Sequence, residues 1–226
     1  MTASKGKTLW EMLCERVHGG GNGSGVAFEN PLDLRVGSPV PIAYSNGPEF
    51  ADYSFTVQEI REYNRIVSGQ NFRFTDYALR GTNTKSFDAT QAMTLRLRTV
   101  PNAASGHDSF LLRLYDEFGF AEDFLGVLKD DTGVFEAKDD KTGVTDTFTR
   151  INDLRDSWQA AVLVVAETTP DGKASPGKSS PLKVEYWDYW RDVDLGSGNT
   201  AKEFFFVEQN SDTGWFQLWR GREFFS

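Results

Sequence analysis

The sequence predicts a mainly β protein of antiparallel meanders, forming a sandwich or an open barrel, with a short amphipathic helix at the N-terminus. Three observations carry that expectation. Aromatic and β-branched residues crowd the C-terminal end in the runs Lys183–Arg191, Glu203–Glu208 and Trp215–Arg220, a composition that favours pleated strands. The turn Asn210-Ser211-Asp212-Thr213-Gly214 separates two of these runs with hairpin chemistry. Upstream, Leu95 and Leu97 alternate with Arg96 and Arg98, the period of a half-buried antiparallel strand. In the C-terminal runs aromatics occupy both parities, so both faces of that sheet need cover from protein or from a ligand.

The elements follow in order. Thr8 with Glu11 makes a capping box, and Leu9, Trp10, Leu13 and Val17 share one side of a helix over residues 8–18. Gly19-Gly-Gly-Asn-Gly-Ser-Gly25 then reads as a flexible tether. The body is residues 26–226, divisible into lobes 26–128 and 129–226. Its first strand, Leu34–Ile42, belongs at an edge, because Pro39 and Pro41 cannot donate ladder hydrogen bonds. Tyr53–Tyr63 alternates and then drifts, as a bulged strand does. Phe72–Leu79, Met93–Arg98 and Ser109–Tyr115 continue the strand pattern. Glu122–Leu128 reads as a short helix or a strand, and Gly133–Glu136 and Thr145–Arg150 as short strands. Gln159–Ala166 is nearly all apolar, a central strand. Thr168–Pro181 and Asp192–Ala201 have loop composition. Phe74-Thr-Asp76-Tyr77 and Tyr186-Trp-Asp188-Tyr189 share a spacing and open two series of strands, which suggests two related meanders packed face to face. Across the last hairpin, Phe204, Phe206, Phe216 and Leu218 are expected on one core face.

Composition excludes several functions. The chain of 226 residues carries a net charge of −9 with scattered acids, and its Lys and Arg do not cluster, which argues against nucleic acid as a partner. Cys14 is the one cysteine, so an internal disulfide and a cysteine-based zinc cage are excluded. No apolar stretch is long enough to span a bilayer. Glu11 and Glu15 interrupt the N-terminal region, which does not read as a secretory signal. Cytoplasmic residence is expected.

Candidate chemistry is sparse. Asp131-Thr132-Gly133 and Asp212-Thr213-Gly214 invite an aspartic-protease pair, but their polar flanks fit turns closing on a left-handed glycine. Asp139–Asp146 and Asp171-Gly172 lack the acid spacing of a calcium loop. Ser105, His107 and Asp108 lie in one stretch of chain, whereas triads are assembled in space. Asp116, Glu117, Glu122 and Asp123 surround Phe118 and Phe120; burial there would raise a carboxyl pKa and make an acid–base pair. No cofactor and no metal site is expected.

The stretch Leu34-x-Val36-Gly37-x-Pro39-Val40, then Tyr53-x-Phe55-x-Val57-x-Glu59-Ile60, then Phe74-x-x-Tyr77-x-Leu79 resembles small bacterial β-domains of unknown function encoded beside phage-shock-type membrane-stress proteins. It covers about the first half of the body; Phe74 stands where that family has Trp, and proline interrupts the Gly-Val strand. The resemblance implies a cytoplasmic accessory or adaptor role near a membrane, and no catalytic residues. The function expected is thus a non-catalytic binding or assembly module. Its contacts would come from Trp10 and Leu13, engaging a protein partner or a second copy, and from Trp187, Tyr189, Trp215 and Trp219. Peripheral membrane contact by the helix would be weak, with only Lys5, Lys7 and Arg16 for charge. One alternative is a small hydrolase or ligand-binding protein using Asp116–Asp123. Another is a carbohydrate-binding β-sandwich presenting Trp187, Trp190, Trp215 and Trp219.

Overall fold

The computed structural model describes residues 30–224, apart from 44–45, 68–69, 86–91, 103–105, 139–141, 152–157, 178–180 and 197. The helix and tether expected over residues 1–25 lie outside the described residues. Strands β1 (Pro39–Val40), β2 (Tyr53–Val67), β3 (Gln70–Asn83), β4 (Met93–Asn102) and β5 (Gly106–Phe118) come first. A short helix α1 (Glu122–Leu128), β6 (Val134–Lys138), β7 (Thr145–Arg150), β8 (Trp158–Thr168) and β9 (Ala174–Pro176) follow. The chain ends in β10 (Leu182–Gly196), β11 (Asn199–Asn210) and β12 (Phe216–Glu223).

All described pairings are antiparallel. β2, β3, β4, β5, β12, β11, β10 and β8 pair in that order, and β8 pairs with β10 as well as with β2, through Leu182↔Val162 to Tyr186↔Trp158. The ring therefore closes as a barrel, not as the sandwich or open barrel expected, because the apolar β8 has partners on both sides. Strands from both sides of residue 128 share the ring, and the two meanders are successive arcs of it. The loop expected over Asp192–Ala201 is instead largely strand: β10 extends to Gly196 and β11 begins at Asn199, paired as a hairpin.

Two irregularities set which residues point inward. A bulge between Val57 and Glu59 reverses the parity of β2, so Val57 and Ile60 face outward while Tyr63 and Arg65 face in. This accounts for the drift read in the sequence. A second shift, where Leu218↔Asp116 gives way to Trp219↔Leu114, adds one residue to β5. Nearby, Gly221 lets β12 approach β5 closely; a Cβ there would lie 1.9 Å from the Leu111 carbonyl oxygen.

Three packed regions result. The interior holds Tyr63, Phe74, Phe110, Trp158, Val162, Tyr186, Phe204, Phe206 and Trp219. Outside β2–β5, residues such as Ile60, Tyr77, Leu79, Leu95 and Leu97 are covered by the segment carrying Leu32, Leu34, Val36, Val40 and Phe50. Outside β10–β12, Trp187, Tyr189, Phe205, Val207, Phe216 and Leu218 are covered by α1 and the β6–β7 hairpin through Leu128, Phe135 and Phe148. Phe204 and Phe206 thus do not share a core with Phe216 and Leu218. Register sets Phe206 opposite Trp219 and Val207 opposite Leu218, and residues directly opposite share a face.

Candidate functional site

The interior is not wholly apolar. Arg96 and Arg98, expected to face water, are 2% and 4% exposed inside the barrel. Arg98 grips Asp76 with two hydrogen bonds, Nε to Oδ1 at 2.7 Å and Nη2 to Oδ2 at 2.8 Å, and donates to Glu208 at 2.6 Å. Arg96 donates to the other Glu208 oxygen at 2.5 Å, to the Gln217 carbonyl at 2.9 Å and to the Tyr63 hydroxyl at 3.2 Å. Tyr63 in turn donates to Glu208 at 3.2 Å. Arg96 also lies 3.9 Å from the Trp219 ring centre, and Arg98 4.6 Å from that of Phe74. Two cations and two anions balance, with bidentate geometry that offsets their desolvation. Burial alone would raise the Glu208 carboxyl, but the charges and hydrogen bonds of Arg96 and Arg98 hold it down at about 2.

Asp188, on the same inner face of β10 as Tyr186, is less well served. Arg65 approaches it only to 4.0 Å, and its Oδ1 has no hydrogen-bond partner among the described residues. Arg65 is instead wedged among the rings of Phe72, Trp158 and Tyr186. Burial raises the Asp188 carboxyl to about 6, because Arg65 and Arg98 counter it only in part and Glu208 adds to the rise.

At the end of the barrel that carries the β11–β12 turn, the packing opens into a cavity of about 260 Å³. Arg61, Tyr63, Glu208, Asn210, Thr213 and Gln217 form the polar part of its lining; Val162, Leu182 and Val184 form an apolar wall, and Trp215 completes it. The turn that places Asn210, Thr213 and Trp215 is locally fixed. The Asn210 side-chain oxygen accepts the Asp212 and Thr213 N–H groups at 2.9 and 3.0 Å, and Gly214 sits at φ 71°, the left-handed region glycine tolerates.

The residues expected to bind are dispersed. Trp215 lines the cavity and is 47% exposed. Trp219 is buried inside the barrel beneath Arg96, while Trp187 and Tyr189 are buried in the outer core under α1 and β6–β7. Trp190 packs at the margin of the interior, with the Lys202 ammonium 3.3 Å from its ring centre. The four tryptophans therefore do not form one platform. Trp10 and Leu13 lie outside the described residues.

Asp116, Glu117, Glu122 and Asp123 are all exposed, so the burial that an acid–base pair needs is absent. Phe118 instead packs on Phe124 and Phe216. Asp131 and Asp212 sit in separate exposed turns, each followed by a left-handed glycine, and do not meet. His107 and Asp108 belong to the β4–β5 hairpin, at the opposite end of the barrel from the cavity. Among the described residues no group of three or more His, Cys, Asp or Glu is placed to hold a metal, and no helix is long and apolar enough to cross a membrane.

Sequence reasoning missed Tyr63, Asp76, Arg96, Arg98, Glu208 and Gln217. Alternation in Leu95–Arg98 was a real signal, but it does not say which side of a strand meets water. No family model, no curated protein and no solved structure matches this chain. What the fold and site define is a class: a closed antiparallel barrel with a charge-balanced interior and an amphipathic cavity at one mouth.

Proposed function

We propose that this is a non-catalytic binding protein that takes a small molecule in the mouth of its barrel. The observation that carries the reading is the cavity of about 260 Å³ lined by β2, β8, β10, β11, β12 and the β11–β12 turn. Eight-stranded barrels either fill with side chains or hold one small ligand, and pockets that mix apolar walls with a few polar groups are the usual form of such sites. An empty apolar cavity of roughly 150 Å³ accommodates benzene, so this one suits a compound of roughly ten non-hydrogen atoms. Binding, not turnover, is favoured because the Glu208 and Tyr63 groups at the cavity are already engaged with Arg96 and Arg98. To this we add the setting that the sequence resemblance implies, a bacterial cytoplasmic accessory protein, and, from the amphipathic pattern of residues 8–18, engagement of a protein partner or a second copy through Trp10 and Leu13.

The test is a fragment library screened by tryptophan fluorescence on the wild type and on Trp215→Phe. Saturable quenching that the substitution abolishes supports the reading. Hits that quench both proteins equally bind elsewhere and count against it.

A further inference from the structure

The hydrogen-bonding groups around the cavity differ in what they still have to offer, and this narrows the ligand. The acceptors are largely occupied. Glu208 receives Arg96 and Tyr63 on one oxygen and Arg98 on the other. The Asn210 side-chain oxygen receives two backbone N–H groups, and the Gln217 oxygen receives Arg96. The donors are not. Arg61 uses only its Nε, on Glu59, and its two terminal nitrogens have no partner among the described residues. The Asn210 amide nitrogen donates to none of them either, and the Thr213 hydroxyl oxygen accepts from the Trp215 N–H at 3.3 Å while its own proton is uncommitted. Gln217 gives one N–H to Glu117 at 3.2 Å and retains a second.

Resting on the reading of the mouth as a small-molecule site, we propose that its ligand presents a carbonyl or carboxylate oxygen to Arg61, Asn210, Thr213 and Gln217, and an apolar body to Val162, Leu182 and Val184. A donor-only head such as an ammonium would leave those N–H and O–H groups without acceptors. It would also bring a cation toward Arg61 and a Glu208 already neutralised by two arginines. Unmet donors in a desolvated site cost affinity, so the selectivity is for acceptors. Trp215, exposed at the same cavity, supplies a ring face over the apolar body.

Calorimetric titration with benzoate, benzamide and benzylamine tests this, since the three share a body and differ in the head. Benzoate and benzamide are expected to bind roughly tenfold or more tightly than benzylamine. Arg61→Gln is expected to weaken benzoate more than benzamide, with Arg61→Lys restoring part of the benzoate affinity; an unchanged melting temperature verifies that each variant is folded. Benzylamine binding as tightly as the other two overturns the acceptor assignment while leaving the mouth as a site. Absence of binding by all three at millimolar concentration also overturns it, and the fragment screen separately decides whether the mouth binds anything.

Discussion

The inside and the outside of this barrel follow opposite rules. The outer faces of β2–β5 and β10–β12 are packed mainly with apolar side chains and are covered by other parts of the same chain, with one ion-pair cluster, Glu203 with Arg191 and Arg220 beside Asp146, at the margin of the second. The interior, the place where a small barrel ordinarily stacks aliphatic side chains, carries Asp76, Arg96, Arg98 and Glu208 among aromatic rings. The outer layers contribute stability through buried area, which needs no particular orientation. The quartet of Asp76, Arg96, Arg98 and Glu208 depends on each charge keeping its partner, so the interior is more specific in geometry and more fragile to single changes there.

The largest effect is expected from removing one interior partner. Glu208→Ala leaves Arg96 and Arg98 sharing Asp76 alone, and should cost about 3–5 kcal/mol in urea unfolding. A smaller loss, about 3 kcal/mol, is expected for Leu97→Ala on the outer face, and that loss should not depend on pH. If Glu208→Ala is instead near neutral, the buried quartet is not a structural unit.

Within the interior, Asp188 and Glu208 should respond to pH in opposite directions. The folded-state pKa of Glu208, about 2, lies below its ordinary value. Its contribution is present above roughly pH 4.5 and is lost as the pH falls toward 2. The folded-state pKa of Asp188, about 6, lies above its ordinary value. The folded protein therefore holds that proton more tightly, and stability falls as the pH rises from roughly 4 to 6. Asp188→Asn, which mimics the protonated form, should raise stability by about 2 kcal/mol at pH 8 and change little near pH 4. Equal effects at both pH values would show that Asp188 does not titrate with a raised pKa in the folded protein. The smallest effect should come from Lys202→Ala, whose ammonium sits over Trp190 at the barrel margin. A melting-temperature change equivalent to less than about 1 kcal/mol is expected there.

Much of the fold was legible because strands depend on local pattern. The bulged β2, the fully flanked β8 and the hairpin at Asn210–Gly214 stand where their residues pointed, while of the edge strand expected over Leu34–Ile42 only Pro39–Val40 is strand. Barrel closure was not legible, since it depends on β8 meeting β10 across the ring, a pairing no local pattern specifies. The direction of Arg96 and Arg98 was hidden for a related reason. In a strand covered on both faces, alternation separates two environments but does not say which is water, and the cover over Leu95 and Leu97 comes from residues 32–50, far away in sequence. Of the cavity, only Trp215 was singled out in advance. Tyr63 and Gln217 look like ordinary strand residues until closure brings β2 and β12 to the same mouth.

A crystal structure of the protein soaked with the best fluorescence-screen fragment decides whether the barrel mouth is a binding site. Density is expected within the mouth, in contact with Trp215 and with Tyr63 or Gln217, with an unchanged arrangement of Arg96, Arg98, Asp76 and Glu208 behind it. Fragment density confined to the outer faces, with the mouth unoccupied, would contradict the claim that this barrel is a small-molecule binder.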